Sequence, residues 1–135
     1  MSAFFDTNLF VYAQQIGAKG EQARATLAAG GFISVQVLNE FVAVARRKLG
    51  KDWDAIEAAI EDMLALVEPP LQLSLATNKA ARVLARDQGF SFYDSLIVAS
   101  ALDADCETLY TEDMQDGRKI GTLTIRNPFA EIRGL

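Results

Sequence analysis

Four acidic residues lie where short strands end or helices begin in the predicted fold. Asp6 and Asp113 each come after a short apolar run, Glu40 lies early in a helical pattern, and Asp94 opens a helical segment that is apolar on most sides. In an open parallel sheet these places can converge on the carboxyl edge, where ligands bind. The four residues together therefore predict one acidic site.

Carboxylates gathered at such an edge would repel one another unless cations lay between them. Hard divalent cations bind oxygen ligands, activate water, orient a phosphate and neutralise the charge that develops during a displacement. The chain has no histidine and a single cysteine, Cys106, which excludes imidazole catalysis, the usual zinc sites and an internal disulfide. The residue types therefore favour magnesium or manganese held by oxygen.

Each acidic residue also has an ordinary structural interpretation. Asp6 and Asp94 could be N-caps, for which aspartate is well suited. Glu40 lies roughly 160° from the apolar stripe of its helix, at about 100° per residue, and could face solvent. Asp113 and Asp116 lie in a Glu-Asp-Met-Gln-Asp-Gly segment, and aspartate is common in turns. The hypothesis of a site depends on the four places being brought together.

The remaining sequence predicts the elements that would do this. Short apolar runs predict strands at residues 3–5, 32–34, 108–110 and 123–125. Helical patterns predict helices at residues 8–14, 21–29, 35–49, 53–66, 75–88 and 94–103, with Gly17 and Gly20 as breaks. Short strands that alternate with helices indicate an α/β fold with a parallel sheet and helices on both faces.

Composition limits the possible functions. The chain has 135 residues, half of them hydrophobic, so we expect one domain over residues 1–135 with a sizeable core. The net charge of −5 disfavours a surface that coats nucleic acid but not a nuclease whose acidic pocket is neutralised by metal. No apolar run approaches the roughly 18 residues of a membrane span, and no signal-peptide pattern is present. We therefore expect a cytoplasmic protein that does not bind a membrane.

The acidic residues lie within motifs of a known family. The chain resembles PIN-domain ribonucleases of the VapC type, the toxins of type II toxin–antitoxin systems. The matching motifs are Phe-Asp-Thr-Asn at residues 5–8, Asn-Glu-Phe at 39–41, Phe-Tyr-Asp-Ser-Leu-Ile at 92–97, Tyr-Thr-Glu-Asp-Met at 110–114 and Asn-Pro-Phe at 127–129. They occur in the family's order over nearly the whole chain. Ser95 and Thr111 are mild departures from the more usual alanine and serine.

The resemblance implies a three-layer α/β/α domain around a central parallel sheet of about four or five strands, and a metal-dependent endoribonuclease. The family's acidic positions fall on Asp6, Glu40, Asp94 and Asp113. These would hold one or two Mg²⁺ or Mn²⁺ ions, Glu40 directly or through water, with Asp116 as an outer contributor. Asn8 and Thr111 match supporting polar positions. The implied reaction is in-line attack on an RNA phosphodiester by metal-activated water.

Partners follow from the same resemblance. The RNA would be single-stranded or in a loop, residues 35–66 would help form a groove for an antitoxin, and the protein would be a homodimer. Five aromatic residues could stack on bases, but we expect most of them in the core; these are Phe4, Phe5, Phe90, Phe92 and Tyr93. Basic residues could contact phosphates, although a solvated helix face is their more ordinary interpretation; these are Arg46, Arg47, Lys48, Arg82, Arg86, Arg118 and Lys119.

Three alternatives stay open. The first is a PIN-like binding module without activity, which the intact acidic set disfavours. The second is a PIN nuclease that acts on DNA or in RNA processing rather than as a toxin. The third is a phospho-acceptor receiver domain, which usually has an acidic pair after its first strand and a lysine after its last. Here Thr7 and Asn8 follow Asp6, and no lysine follows residues 123–125.

Overall fold

The computed structural model describes residues 2–132, which form six helices and four strands. In chain order these are β1 (Ala3–Phe5), α1 (Thr7–Ala13), α2 (Ala18–Leu27), α3 (Val35–Arg47), α4 (Trp53–Leu66), α5 (Leu75–Gln88), α6 (Phe92–Asp103), β2 (Thr108–Tyr110), β3 (Lys119–Ile120) and β4 (Leu123–Arg126). The predicted bounds of β1, β2, α4 and α5 are confirmed at both ends. Among these helices, none has the length and hydrophobicity that a transmembrane span requires.

The sheet has the strand order β1-β2-β4-β3. β1 pairs in parallel with β2, and β2 with β4, whereas β3 is antiparallel to β4. With helices on both faces this is the three-layer α/β/α fold that we predicted. The strand β3 was not predicted, because two residues are too few to show the alternation of a strand. Phe5 lies opposite Tyr110, so Asp6 and Thr111 follow side by side at the carboxyl edge.

Residues 32–34 do not form the predicted strand. Phe32 makes an isolated bridge to Phe4, and Ser34 makes another to Leu71. The Phe32 N–H donates to the Ala3 carbonyl at 2.8 Å, and α3 begins immediately after Ser34. The chain therefore runs beside β1 for too short a distance to form a ladder.

The helix α2 begins earlier than predicted and contains Gly20, which the sequence pattern predicts as a break. A Cβ atom at Gly20 would overlap the Gln15 carbonyl oxygen. This glycine therefore permits the close approach of α1 and α2 and does not end a helix. Gly89 acts as predicted: its positive φ of 77° ends α5, a conformation that glycine adopts without steric cost.

The core lies between the sheet and the helices that cover it. Phe4, Phe5 and Leu109 on the strands are fully buried. Val37 and Phe41 on α3 are also buried. Burial of each such large side chain contributes about 1.5–3 kcal/mol. The helix α6 is buried continuously over seven residues, as its all-round hydrophobicity predicted. This packing holds the start of α6 near the ends of β1 and β2.

Candidate active site

Asp6 follows β1 and is the N-cap of α1, with a side chain that is only 3% exposed. The Thr7 N–H donates to its Oδ1 atom at 2.7 Å, and the Thr111 hydroxyl donates to Oδ2 at 2.7 Å. Burial raises the pKa of Asp6 to about 7; the two hydrogen bonds oppose this rise, and the charges of Glu40 and Asp113 add to it. Within residues 2–132, no lysine or arginine forms an ion pair with Asp6.

Thr111 and Asn8 connect Asp6 to Asp113. The Thr111 hydroxyl is fully buried and accepts hydrogen bonds from the Asp113 N–H at 3.1 Å and the Asn8 side-chain amide at 3.4 Å. The same Asn8 amide donates to Asp113 Oδ2 at 3.1 Å, and its Oδ1 accepts from the Glu112 N–H at 3.3 Å. These bonds hold the chain after β2 against the start of α1, with Asp113 beside Asp6.

Glu40 lies in the second turn of α3 and is half-buried. The Gln36 side-chain amide donates to Glu40 Oε2 at 2.9 Å, and the Thr7 hydroxyl donates to Oε1 at 3.5 Å. Burial raises the pKa of Glu40, with the charges of Asp94 and Asp113 acting in the same direction. Glu40 is therefore partly shielded from solvent and lies near the other carboxylates.

Asp94 is the third residue of α6 and does not cap the helix. The N-cap is Ser91, whose hydroxyl accepts from the Asp94 N–H at 3.2 Å. The predicted helix start at Asp94 is two residues too late, because a serine cap ahead of Phe92 and Tyr93 lies outside the apolar run. Burial raises the pKa of Asp94, and the charge of Asp113 raises it further.

The structure thus brings four of the predicted carboxylates to one edge, where the charge of Asp113 raises the pKa of the other three. These four are Asp6, Glu40, Asp94 and Asp113. Their ligand atoms are all oxygen, which suits a hard divalent cation. In the described part of the chain, however, no three acidic or cysteine side chains stand close enough to hold one metal ion. The donor set therefore fits such an ion in kind and charge, but its carboxylates would have to move closer together to bind it.

Asp116 is not brought into this group. It is exposed, and its Oδ1 atom accepts from the Asn127 N–H at 2.8 Å. It does not contribute to the pKa shifts of the other carboxyl groups. Asp116 therefore connects the segment before β3 to the chain after β4.

A second polar cluster lies beside the site and was not predicted. Lys19 on α2 donates to the Glu112 carboxylate and to the Tyr12 hydroxyl, and its Nζ atom lies 4.7 Å from the centre of the Tyr12 ring. Burial opposes the ionised form of Glu112, but the hydrogen bonds from Lys19 and Tyr12 outweigh it and lower the pKa of that carboxyl. Because Glu112 precedes Asp113, the cluster fixes the segment that carries Asp113. No local sequence signal joins three residues so far apart.

An open cleft of about 470 Å³ adjoins the acidic group. Its lining residues are Gln36, Asn39, Glu40, Ala43, Arg47 and Tyr93. A slightly larger cleft of about 520 Å³ lies at the opposite end of β1, but Glu68 is the single ionisable side chain that lines it. Cleft size alone does not locate the site, because the smaller cleft is the one that Glu40 lines.

Our expectation that most of the five aromatic residues lie in the core is confirmed for the pair on β1, which is fully buried, but is wrong for two of the three near Asp94. Tyr93 is 64% exposed and Phe92 is 37% exposed. Both belong to the first turn of α6, which protrudes beyond the buried part of that helix. Phe90 is half-buried, and the Arg118 guanidinium lies 4.2 Å from the centre of its ring.

The seven basic residues that we predicted as possible phosphate contacts differ in whether they lie near the acidic edge. Four of them have partners away from the acidic edge: Arg46 lies over the ring of Trp53, Arg82 donates to Asn78, Arg86 pairs with Asp87, and Arg118 donates to Gln88. Lys48 and Lys119 are exposed. Of the seven, Arg47 lines the cleft beside Glu40.

Comparison with known proteins agrees with this architecture. The sequence pattern of the PIN domain matches residues 3–116. No match is found among curated proteins. Among solved structures, a toxin–antitoxin complex from Klebsiella pneumoniae is similar over 94% of this chain and 98% of that chain, with 21% identity and a TM-score of 0.71.

Two further structures share the fold. VapBC2 from Rickettsia felis, bound to a DNA fragment from its promoter, is similar over 94% of this chain and 98% of that chain, with 20% identity and a TM-score of 0.66. VapC20 from Mycobacterium tuberculosis, described as a toxin that cleaves the sarcin–ricin loop, is similar over 83% of this chain and 90% of that chain, with 21% identity and a TM-score of 0.64. Because the match to the PIN domain extends from β1 past Asp113, the chain belongs to the PIN-domain family.

Proposed function

We propose that this protein is a metal-dependent endoribonuclease that acts as the toxin of a toxin–antitoxin pair. The observation that carries the proposal is Asp6, a buried carboxylate with a raised pKa, two acidic neighbours and no basic partner within residues 2–132. A divalent cation would favour its ionised form. Membership of the PIN-domain family and the fold shared with a toxin described as cleaving the sarcin–ricin loop support RNA as the substrate.

Mg²⁺ or Mn²⁺ fits the donor set because every ligand is a carboxylate oxygen. Asp6, Asp94 and Asp113 would hold one or two ions, with Glu40 binding directly or through water. Such an ion, when bound, would lower the pKa of water and neutralise charge at the phosphate during in-line displacement.

The other side chains position this set. Thr111 orients Asp6 by donating to Oδ2, and Asn8 orients Asp113 by donating to its Oδ2 atom. Gln36 orients Glu40 by donating to its Oε2 atom. Burial of Asp6 keeps bulk water from that side of the site, so an attacking water would approach from the open side.

The proposal includes a cognate antitoxin, a homodimeric toxin built from a single domain, and a cytoplasmic location. Its support is the resemblance and the two toxin–antitoxin structures that share the fold. We place the antitoxin on α3 and α4, because α4 exposes apolar side chains there. Trp53, Leu64 and Leu66 are 56%, 40% and 47% exposed, and such exposed apolar residues are typical of interaction surfaces.

The test is RNA cleavage by partner-free protein, with Mg²⁺ or Mn²⁺ and with a chelator, on total cellular RNA. Asp94→Asn should reduce cleavage by about 100-fold or more, comparable to the loss of an important electrostatic group, and chelation should abolish it. Asp103→Asn is the matched control, because it removes the same charge from an exposed position on the same helix.

Folding is measured alongside by chemical denaturation without metal. Asp94→Asn should be at least as stable as wild type, since it relieves repulsion among carboxylates. If Asp94→Asn and wild type give equal cleavage in every condition, the inactive binding module is the better interpretation. A large loss of stability in Asp94→Asn would assign that residue a structural role instead. Preferential cleavage of DNA would favour the alternative of a PIN nuclease that acts on DNA and is not a toxin.

A further inference from the structure

One cleft beside the acidic group is lined by Glu40 and Gln36 and also by four residues that the cleavage chemistry does not use. Five of its six lining residues are on α3, at positions 36, 39, 40, 43 and 47. These spacings of three, four, seven and eleven place them along one face of the helix. The sixth is Tyr93, in the first turn of α6. The cleft therefore runs along α3 from the carboxylate of Glu40 to the guanidinium of Arg47.

Tyr93 provides an aromatic surface on one side of this cleft. Its side chain is 64% exposed and immediately precedes Asp94. The Phe92 ring packs against it edge-on, with ring centres 6.0 Å apart, and this contact limits where the Tyr93 ring can turn. Exposed aromatic rings beside a nuclease site are suited to stacking on unpaired bases, which contributes strongly to binding and tolerates different sequences.

The polar groups of the cleft complement those of a nucleotide. Asn39 is exposed, and its amide can both donate to and accept from the edge of a base. Arg47 is exposed and, within residues 2–132, forms no ion pair, so its guanidinium can bind a phosphate in two-pronged geometry. Ala43, between them on the same face, leaves room for a ring. An apolar ligand would leave these polar groups unmatched.

We propose that this cleft is a nucleotide subsite for single-stranded RNA. The base of a nucleotide next to the scissile phosphate stacks on Tyr93, Asn39 contacts its edge, and Arg47 binds the following phosphate. The inference rests on the proposed nuclease function and extends it, because it requires the flanking base to be unpaired. Arg47 would add a positive charge beside the four carboxylates.

The test measures binding separately from cleavage. Fluorescent unpaired RNA oligonucleotides are titrated, with Mg²⁺ present, into Asp94→Asn protein, which does not cut them if the proposed function holds. Tyr93→Ala in this background should weaken binding by about tenfold or more, within the range expected for loss of base stacking. Tyr93→Phe keeps the ring and should bind within about twofold of its parent. Because Tyr93 is exposed, both variants should keep the parent's melting temperature.

Arg47 is tested by the salt dependence of the same binding. Arg47→Ala should weaken binding and reduce the slope of log K against log salt by about 0.7, the value for one phosphate contact on a single strand. Arg46→Ala is the control, because Arg46 is on the same helix but lies over Trp53. That variant should leave the slope unchanged.

The outcomes separate the two proposals. If wild type cuts RNA in a metal-dependent way but Tyr93→Ala and Tyr93→Phe bind alike, the subsite is wrong and the nuclease assignment stands. Tighter binding of a DNA oligonucleotide of the same sequence, with the same dependence on Tyr93, would overturn the assignment to RNA. If wild type neither binds nor cuts RNA, both proposals fail together.

Discussion

The two halves of the acidic edge are held in different ways. Asp6 and Asp113, at the strand ends, are joined by side-chain bonds between segments that lie 105 residues apart in sequence. Glu40 and Asp94, on the helices, have local support: Gln36 lies four residues from Glu40, and Ser91 lies three from Asp94. We call the first pair, with the residues around it at the strand ends, the strand half, and the second pair, with its neighbours on α3 and α6, the helix half.

In the described chain, one side-chain hydrogen bond joins the halves, from the Thr7 hydroxyl to Glu40, and at 3.5 Å it is long. Because this single link is long, we expect the helix half to adjust its distance from the strand half more easily than Asp6 and Asp113 can separate from each other. Such a difference would account for four carboxylates that converge without forming a ready-made metal cage in the described residues. It also places the proposed RNA cleft, with Arg47 and Tyr93, on the adjustable half.

The largest effect should come from pH acting on Asp6 in metal-free protein. Its folded pKa of about 7 lies above the unfolded value near 3.8. Its contribution to stability is therefore full below pH 3.8 and is lost as pH rises towards and through 7, by about 1.4 kcal/mol per pH unit between the two values. Asp6→Asn should remove this dependence, so that its stability advantage over wild type grows between pH 5 and pH 8 by roughly 3 kcal/mol.

The measurement is urea denaturation of both proteins at each pH, with a chelator present. Glu40→Gln is the comparison from the helix half. Burial also raises the pKa of Glu40, but this group is only half-buried. The stability advantage of Glu40→Gln over wild type should therefore change less with pH. A larger change for Glu40→Gln than for Asp6→Asn would reverse the distinction between the halves.

The next largest effect should come from Thr111, the centre of the strand half. Thr111→Val keeps the shape but removes the donor to Asp6 and the acceptor for the Asp113 N–H. Leaving buried groups unpaired costs about 1–3 kcal/mol of unfolding free energy. Ser100→Ala is the matched control, because the Ser100 hydroxyl is buried without a hydrogen-bond partner within residues 2–132. If both variants lose the same stability, the Thr111 network does not hold the strand half together.

The features predicted from sequence are those with local signals. Residues 3–5 and 108–110 are short apolar runs with polar flanks, and both form strands at the predicted bounds. Asp52, an aspartate directly before a helical pattern, caps α4 and accepts from the Ala55 N–H at 2.8 Å. Parallel pairing then brings Asp6 towards Asp113, because parallel strands end at the same edge. Convergence was therefore predictable, although roles in catalysis stay predictions.

What could not be predicted depends on long-range contacts. Lys19 and Glu112 are 93 residues apart and meet only once α2 lies beside the segment that follows β2. Tyr93 looks like a core residue from its aromatic neighbours, yet it is exposed in the first turn of α6. Periodicity describes one helix at a time and contains no information on which neighbour covers each face. The polar side of α3 can be recognised in the sequence. That this side borders the acidic edge cannot.

The smallest effect should come from Gln36, the support of the helix half. Gln36→Met has similar length and cannot donate to Glu40. Because donor and acceptor are four residues apart on one helix, the change in unfolding free energy should be about 0.2–0.5 kcal/mol, several-fold less than for Thr111→Val. Loss of this hydrogen bond should also raise the pKa of Glu40 further, since the bond now opposes the effect of burial. Denaturation under the conditions used for Thr111→Val measures the first quantity, and carboxyl NMR titration measures the second. A cost equal to that of Thr111→Val would mean that the helix half is as rigidly built as the strand half, and closure around a metal would then need a different source of movement.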